Sequence, residues 1–122
     1  MATLPMSNLP AAPQIPLGAD VRAAYQDLYD KMQAQIDRTM DLAVIEALNT
    51  WQPQVELVLT KDDLYRLSAD TAAFEALQKQ INYTNEGLRA LRAQILAIAS
   101  HFTMAADILA AIDEALKLLP GA

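Results

Sequence analysis

Apolar residues recur at alternating steps of three and four from Leu64 to Leu119. This spacing keeps one stripe of side chains on one side of an α-helix, and a stripe sustained this long is typical of a seam packed on another helix. Only Thr71 and Thr84 place a hydroxyl in the stripe. Its members are Leu64, Leu67, Thr71, Phe74, Leu77, Ile81, Thr84, Leu88, Leu91, Ile95, Ile98, Phe102, Ala105, Leu109, Ile112, Leu116 and Leu119. The sequence therefore predicts an all-α protein.

A second amphipathic segment precedes this stripe and predicts a helix over about 20–50, with Asp20 as its N-cap. Its apolar face consists of Val21, Tyr25, Leu28, Met32, Ile36, Met40, Ala43, Ala47 and Trp51. Pro53 disfavours helical geometry at Gln52, so we expect the helix to end there. The β-branched patch at 55–59 that follows predicts a short helix or an extended connector.

The boundaries of the long stripe depend on two kinds of local signal. Residues 60–63 (Thr-Lys-Asp-Asp) resemble a capping box and predict a helix start near 61. Residues 82–87 and 100–103 are poor in helix formers, which leaves open a break near Asn85 or near Thr103. The stripe keeps its phase through both. We favour a break at Thr103, which would cap the last helix, because an unbroken helix over 60–119 would be about 90 Å long.

These boundaries predict an elongated antiparallel helical hairpin or bundle, with helices at about 20–50, 61–101 and 104–119. Four prolines within residues 1–18 predict a flexible Pro-rich arm, because proline lacks the amide donor that a helix or sheet requires. The arm could also pack on a neighbouring chain. Residues 19–122 are then expected to form a single helical bundle domain.

The net charge of −6 argues against a nucleic-acid partner. The nine basic residues are scattered, so no stripe of them could neutralise a run of phosphates or dock on anionic lipid. The most membrane-like window, residues 95–112, contains His101 and Asp107 near its middle, so we expect no membrane span. The sequence contains no cysteine, which excludes thiolate metal sites and leads us to expect a cytoplasmic location.

No catalytic, cofactor or metal motif stands out in the chain. The Glu-x-x-His spacing of di-iron bundles and the glycine-rich phosphate loop are both absent. His101 is the only histidine, and we expect it to lie at the surface or at a helix end. We therefore expect a protein that is not an enzyme and that holds no cofactor or metal.

The function that this pattern favours is a non-enzymatic helical protein–protein interaction module, such as a subunit, adaptor, chaperone or inhibitor. The predicted interface residues are Leu88, Leu91, Ile95, Ile98, Phe102, Ile108, Leu109, Ile112 and Leu116. Long helices in so short a chain cannot all cover one another, so we expect a homo-oligomer, with a dimer favoured, or a hetero-protein partner.

Two alternatives from other functional classes remain open. The first is a small-molecule-binding bundle, in which Met32, Met40, Trp51, Phe74 and Tyr83 would line a cavity. The second is an enzyme that uses His101 or a carboxylate cluster.

Overall fold

Four α-helices and one short 3-10 turn form the part of the chain that the computed structural model describes, residues 15–119. The helices are α1 (Ala19–Asp37), α2 (Leu42–Ser68), α3 (Thr71–Ala97) and α4 (Ala105–Leu118), and the 3-10 turn is Ala99–His101. No strand occurs within those residues. The predicted all-α bundle is therefore confirmed, with four helices where the sequence pattern indicated three.

The helices alternate in direction around a square. Each packs on the next along the chain, and α1 also packs on α4, so α2 and α4 are diagonal to each other. The amide of Leu17, just before α1, donates to Asp62 near the end of α2 at 2.8 Å. At the other end of α1, Gln35 accepts a hydrogen bond from the Met104 amide, just before α4, at 2.7 Å. This is the up-down-up-down arrangement of a four-helix bundle.

The predicted helix over 20–50 is wrong, because the chain turns at residues 38–41 between α1 and α2. Asp41 is the N-cap of α2, and its carboxylate accepts hydrogen bonds from the amides of Ala43 and Val44 at 2.9 and 3.4 Å. The N-cap of α1 is Gly18 rather than Asp20, which lies in the first turn. There the negative charge still favours the helix N-terminus.

Pro53 does not end a helix, contrary to the prediction, but lies inside α2. Proline removes one backbone hydrogen bond and crowds the preceding turn. Pro53 lies on the exposed side of α2, where water can solvate the carbonyl that loses its partner. Residues 60–63 are accordingly interior to α2 and form no capping box.

The predicted helix over 61–101 is wrong at its start, because a turn at residues 69–70 separates α2 from α3. Ala69 adopts a left-handed conformation with φ of 51°. Asp70 then caps α3 by accepting a hydrogen bond from the Ala73 amide at 2.8 Å. The apolar stripe keeps its phase across this turn, so phase alone did not reveal it.

The end of the long stripe agrees better with the prediction. Helix α3 runs unbroken through residues 82–87, and the chain breaks before α4, close to the predicted last helix at 104–119. Thr103 is not the cap of α4, which is Met104. The Thr103 hydroxyl instead lies 3.1 Å from the side-chain nitrogen of Gln35. Gln35 is fully buried and holds the start of α4 against α1.

A single apolar core fills the space between the four helices. Its largest fully buried side chains are Leu17, Tyr25, Leu28, Met32, Leu48, Leu77, Ile81, Leu88, Leu91, Ile95, Ile108 and Ile112. Leu17 belongs to this core, so the packed unit begins before residue 19, where the sequence placed its boundary. The rest of the predicted arm, residues 1–14, lies outside the described residues.

Candidate protein-interaction surface

Six of the nine predicted interface residues lie in the core of the single chain. Leu88, Leu91, Ile95, Phe102, Ile108 and Ile112 are buried, and Ile98, Leu109 and Leu116 are half-buried. The buried side chains have almost no surface to offer while the bundle is closed. Whether any of the nine contacts a partner stays a prediction.

The reason for expecting a dimer also changes once the fold is known. The sequence suggested long helices that one chain could not cover, whereas the four shorter helices cover the α3 and α4 stripe within one chain. A partner has to be sought on the apolar side chains that remain outside the core.

Among the described residues, helix α2 carries four of the eight large apolar side chains that are exposed. Six of its residues, Leu42, Pro53, Leu57, Thr60, Leu64 and Leu67, lie within about one quarter of the helix circumference at 3.6 residues per turn. All six are exposed, and we call this surface the α2 outer face. Its leucines are exposed to 72% at Leu42, 37% at Leu57, 55% at Leu64 and 85% at Leu67.

The opposite side of α2 is equally apolar. Val44, Leu48, Val55, Val58 and Leu59 are buried there against the rest of the bundle. A surface helix of a globular protein normally has one apolar side and one polar side. Helix α2 has apolar residues on both, and the bundle covers only one of them.

The end of the α2–α3 hairpin extends the exposed surface. Every residue from 63 to 76 is at least partly exposed, so the rest of the bundle covers this end only in part. Phe74 of α3 is exposed and contacts Tyr65 of α2 edge-on, with ring centroids 5.8 Å apart. This aromatic pair lies at the exposed end of the hairpin.

A buried carboxylate fixes α2 beneath this surface. Asp62 is fully buried and accepts hydrogen bonds from the Leu17 amide at 2.8 Å and from Arg66 Nε at 2.8 Å. It also contacts the Arg22 guanidinium of α1. Burial opposes the charge on Asp62, but the hydrogen bonds from Arg66, Leu17 and Arg22 outweigh it, and the pKa of Asp62 is lowered. The Asp62 carboxylate thus links α1 to α2 on the buried side of α2.

The charges around the α2 outer face are mixed. Glu46 and Glu56 are exposed between its apolar residues, and Lys61 is half-exposed beside them. Asp63 is exposed as well, with its carboxylate 3.0 Å from Arg22. The face is therefore apolar from Pro53 to Leu67, whereas the exposed Glu46 and Asn49 separate Leu42 from that row. Charged side chains at its edge resemble the polar rim of a protein–protein interface.

The cavity proposed for a small molecule is not assembled. Met32 is buried in the core, Met40 is 95% exposed, and Phe74 lies at the end of the hairpin. Of the five predicted residues, Trp51 and Tyr83 do meet, with ring centroids 5.4 Å apart. The prediction of a cavity lined by these five residues is wrong.

A cleft of about 330 Å³ does open to solvent between α2 and α3 beside Trp51. It is lined by Ala43, Glu46, Ala47, Thr50, Trp51 and Gln94. Its volume is at the lower end of the range for ligand pockets, roughly 300–1,000 Å³.

His101 contacts a helix cap. Its Nδ1 atom lies 2.6 Å from a carboxylate oxygen of Asp41, whose other oxygen caps α2. The hydrogen bond with His101 is the main cause that lowers the pKa of Asp41. The contact joins the two connections at this end of the bundle, and His101 itself is exposed. This is the surface position near a helix end that the sequence indicated.

Within residues 15–119, no group of three or more His, Cys, Asp or Glu side chains is placed to hold a metal ion. None of the helices described is long and apolar enough to cross a membrane. Comparison of the chain with protein-family models, with curated proteins and with solved structures finds no match. A functional proposal therefore depends on the surface of the bundle itself.

The sequence pattern missed the α2 outer face, although a signal for it exists. The three–four rhythm extends backwards from Leu64 through Thr60, Leu57 and Pro53. A second stripe, through Val44, Leu48, Val55 and Leu59, occupies the other side of the same helix. Two apolar stripes on opposite sides of one helix indicate that each side packs on another element or on a partner. Helix α2 has this pattern.

Proposed function

We propose that this chain is a non-enzymatic helical protein–protein interaction module that binds a protein partner through the α2 outer face. The observation that supports the proposal is the row of four exposed leucines on α2. Nothing in the described chain covers them. The cytoplasmic location expected from the sequence forms part of the proposal.

The physical argument concerns the free energy of exposed apolar area. Each Å² of apolar surface removed from water contributes about 25 cal/mol, so large exposed leucines favour any partner that can bury them. Single exposed leucines are common and need no explanation. A row of them along one helix side, bordered by charged residues, is typical of an interaction site.

The α2 outer face is also rigid, which favours binding. Its leucines lie on a helix that is held from behind by the core and by the Asp62 ion pairs. Because this helix surface is already rigid, binding a partner costs this chain little conformational entropy. The recognition mode that fits such a surface is helix-to-helix packing.

The test compares one leucine on the face with one leucine away from it. Leu64 and Leu96 are exposed to 55% and 53%, and Leu96 belongs to α3. The wild-type chain, Leu64→Glu and Leu96→Glu would each be immobilised and incubated with purified candidate proteins. These are the products of the genes adjacent to its own.

The proposal expects a protein that binds the wild type and Leu96→Glu but not Leu64→Glu. Both variants should melt within a few degrees of the wild type, because surface substitutions usually change stability by less than about 0.5 kcal/mol. A partner that binds all three chains equally would overturn the assignment of the surface. A partner lost only from Leu96→Glu would do the same.

A further inference from the structure

We propose that the partner of the α2 outer face is a second copy of this chain, with the two α2 helices packed antiparallel across a two-fold axis near Val55. The inference rests on the proposed function, because it names an occupant for that same surface.

The spacing of four of the five apolar residues on this face is symmetric about Val55, and Leu64 is the exception. Leu42 lies thirteen residues before Val55, and Leu67 lies twelve residues after it. Pro53 and Leu57 lie two residues before and two after. A two-fold interface requires a surface that is complementary to itself. In an antiparallel pair, residues equidistant from the axis face each other, so Leu42 of one copy meets Leu67 of the other.

This symmetry places the two most exposed leucines of α2 against each other at both ends of the pair. Leu42 and Leu67 are about 38 Å apart along the helix at 1.5 Å per residue. An apolar cluster would therefore lie on each side of the axis. Each cluster would combine the Leu42 end of α2 from one copy with the Leu67 end of α2 from the other. Pro53 and Leu57 of both copies would meet at the centre.

Leu64 lies nine residues after Val55 and therefore faces Glu46 of the other copy, which lies nine residues before it. The charges of Glu46 and Lys61 fit the same register. Glu46 lies nine residues before Val55, and Lys61 lies six residues after it. The difference of three residues corresponds to less than one helical turn, about 4.5 Å. Glu46 of each copy can therefore reach Lys61 of the other, and the two-fold axis gives two such ion pairs. Pairs of this kind set register more than they add affinity.

Besides the contact between Glu46 and Leu64, Glu56 opposes this arrangement and so provides a sensitive test. Glu56 is exposed and lies one residue from Val55, on the edge of the face. A two-fold axis near Val55 brings the two copies of Glu56 to the same edge of the interface, where their charges repel. Neutralising Glu56 should therefore strengthen this dimer, whereas a dimer that used another surface would be indifferent to the change.

Cysteine crosslinking tests the geometry directly, because the chain contains no cysteine of its own. Leu42→Cys and Leu67→Cys would be prepared separately in the full chain and oxidised alone or mixed. The antiparallel pair predicts a disulfide between the two different variants in the mixture and none in either variant alone. In that pair, two copies of residue 42 lie about 39 Å apart. Disulfides within Leu42→Cys alone or Leu67→Cys alone would overturn the antiparallel arrangement.

Sedimentation equilibrium tests the association itself. The wild type should shift with concentration from the 13.3 kDa chain mass to twice that mass. Leu64→Glu should raise the dimer Kd at least about tenfold, because it places a carboxylate against Glu46 of the other copy, and facing like charges are strongly unfavourable. Leu96→Glu should leave it unchanged, and Glu56→Gln should lower it.

The outcomes separate this inference from the proposed function. A wild-type chain that stays monomeric up to near-millimolar concentration overturns the self-pairing. The proposed function still stands in that case if a different protein is bound in a manner that depends on Leu64. A dimer that is insensitive to both Leu64→Glu and Glu56→Gln overturns the pairing through α2.

Discussion

Gly87 of α3 lies directly against the indole of Trp51 of α2. A methyl group built on Gly87 would come 2.1 Å from the ring carbons Cη2 and Cζ3 of Trp51. The two helices approach closely at this point because glycine has no side chain. The sequence pattern identified Gly87 as a weak point of the helix, whereas the structure shows that it makes room for the indole.

Gly87→Ala is therefore expected to destabilise the protein. In an ordinary helix position the same change stabilises by about 1 kcal/mol. Here the added methyl group must displace a tryptophan whose ring also packs on Tyr83. Overpacking of this kind costs about 1–3 kcal/mol, which urea unfolding can measure.

The control for this prediction is the same substitution in a Trp51→Ala background. Without the indole, Gly87→Ala should become neutral or stabilising, so the double-mutant cycle should show a large coupling energy. A Gly87→Ala variant that is more stable than the wild type, with Trp51 present, would show that the helices do not approach as described.

The sequence predicted the fold class and the α3 and α4 seam because a three–four stripe is a direct consequence of helix geometry. It could not predict the turn at Ala69 and Asp70. There the exposed Leu64 and Leu67 of one helix happen to be in phase with the buried Leu77 of the next. Phase continuity across a short turn is thus compatible with two separate helices. Asp70 was the local signal, because an aspartate that precedes a threonine and two alanines is a good N-cap.

Asp62→Asn is expected to destabilise the bundle by about 1–3 kcal/mol, because it removes the charge that satisfies the buried amide of Leu17 and two arginines. The partial exposure of Arg22 and Arg66 keeps the loss below that of a fully buried ion pair. Asp63→Asn is the matched control. Its carboxylate is 59% exposed and contacts Arg22, so its loss should cost less than about 0.5 kcal/mol. Equal losses in the two variants, measured by urea unfolding, would contradict the role given to Asp62.

The lowered pKa of Asp62 predicts a loss of stability in acid. A carboxyl with a lower pKa in the folded state than in the unfolded state contributes its full stabilisation above the unfolded value, about 3.9. That contribution is lost as the pH falls through the folded value. The free energy of unfolding of the wild type should therefore decrease below about pH 4, and Asp62→Asn should show a shallower decrease. Parallel curves for the two proteins would refute the prediction.

The candidate surface could be predicted only in part, because a stripe of apolar residues does not state which other element covers it. Leu64, Leu67 and Phe74 were assigned to the seam, and all three are exposed. Leu88 and Ile95 were assigned to an interface, and both are buried within the chain. Whether a residue of the stripe is buried or exposed depends on how many helices the chain forms. That number depends on the two short turns at residues 38–41 and 69–70.

Tyr25→Phe is expected to destabilise the protein by about 1–2 kcal/mol, because it deprives a buried polar group of its partner. The Tyr25 hydroxyl donates to the Asn85 side chain at 2.5 Å, and the Asn85 amide donates to the Leu119 carbonyl at 2.6 Å. Tyr83→Phe is the control, since Tyr83 is exposed and should tolerate the change.

A second readout is alkaline titration of the tyrosine absorbance. Burial is the main cause that raises the pKa of Tyr25, so this tyrosine should ionise only when the protein unfolds. Complete ionisation of all four tyrosines in a protein that keeps its helical circular dichroism would contradict the burial of Tyr25.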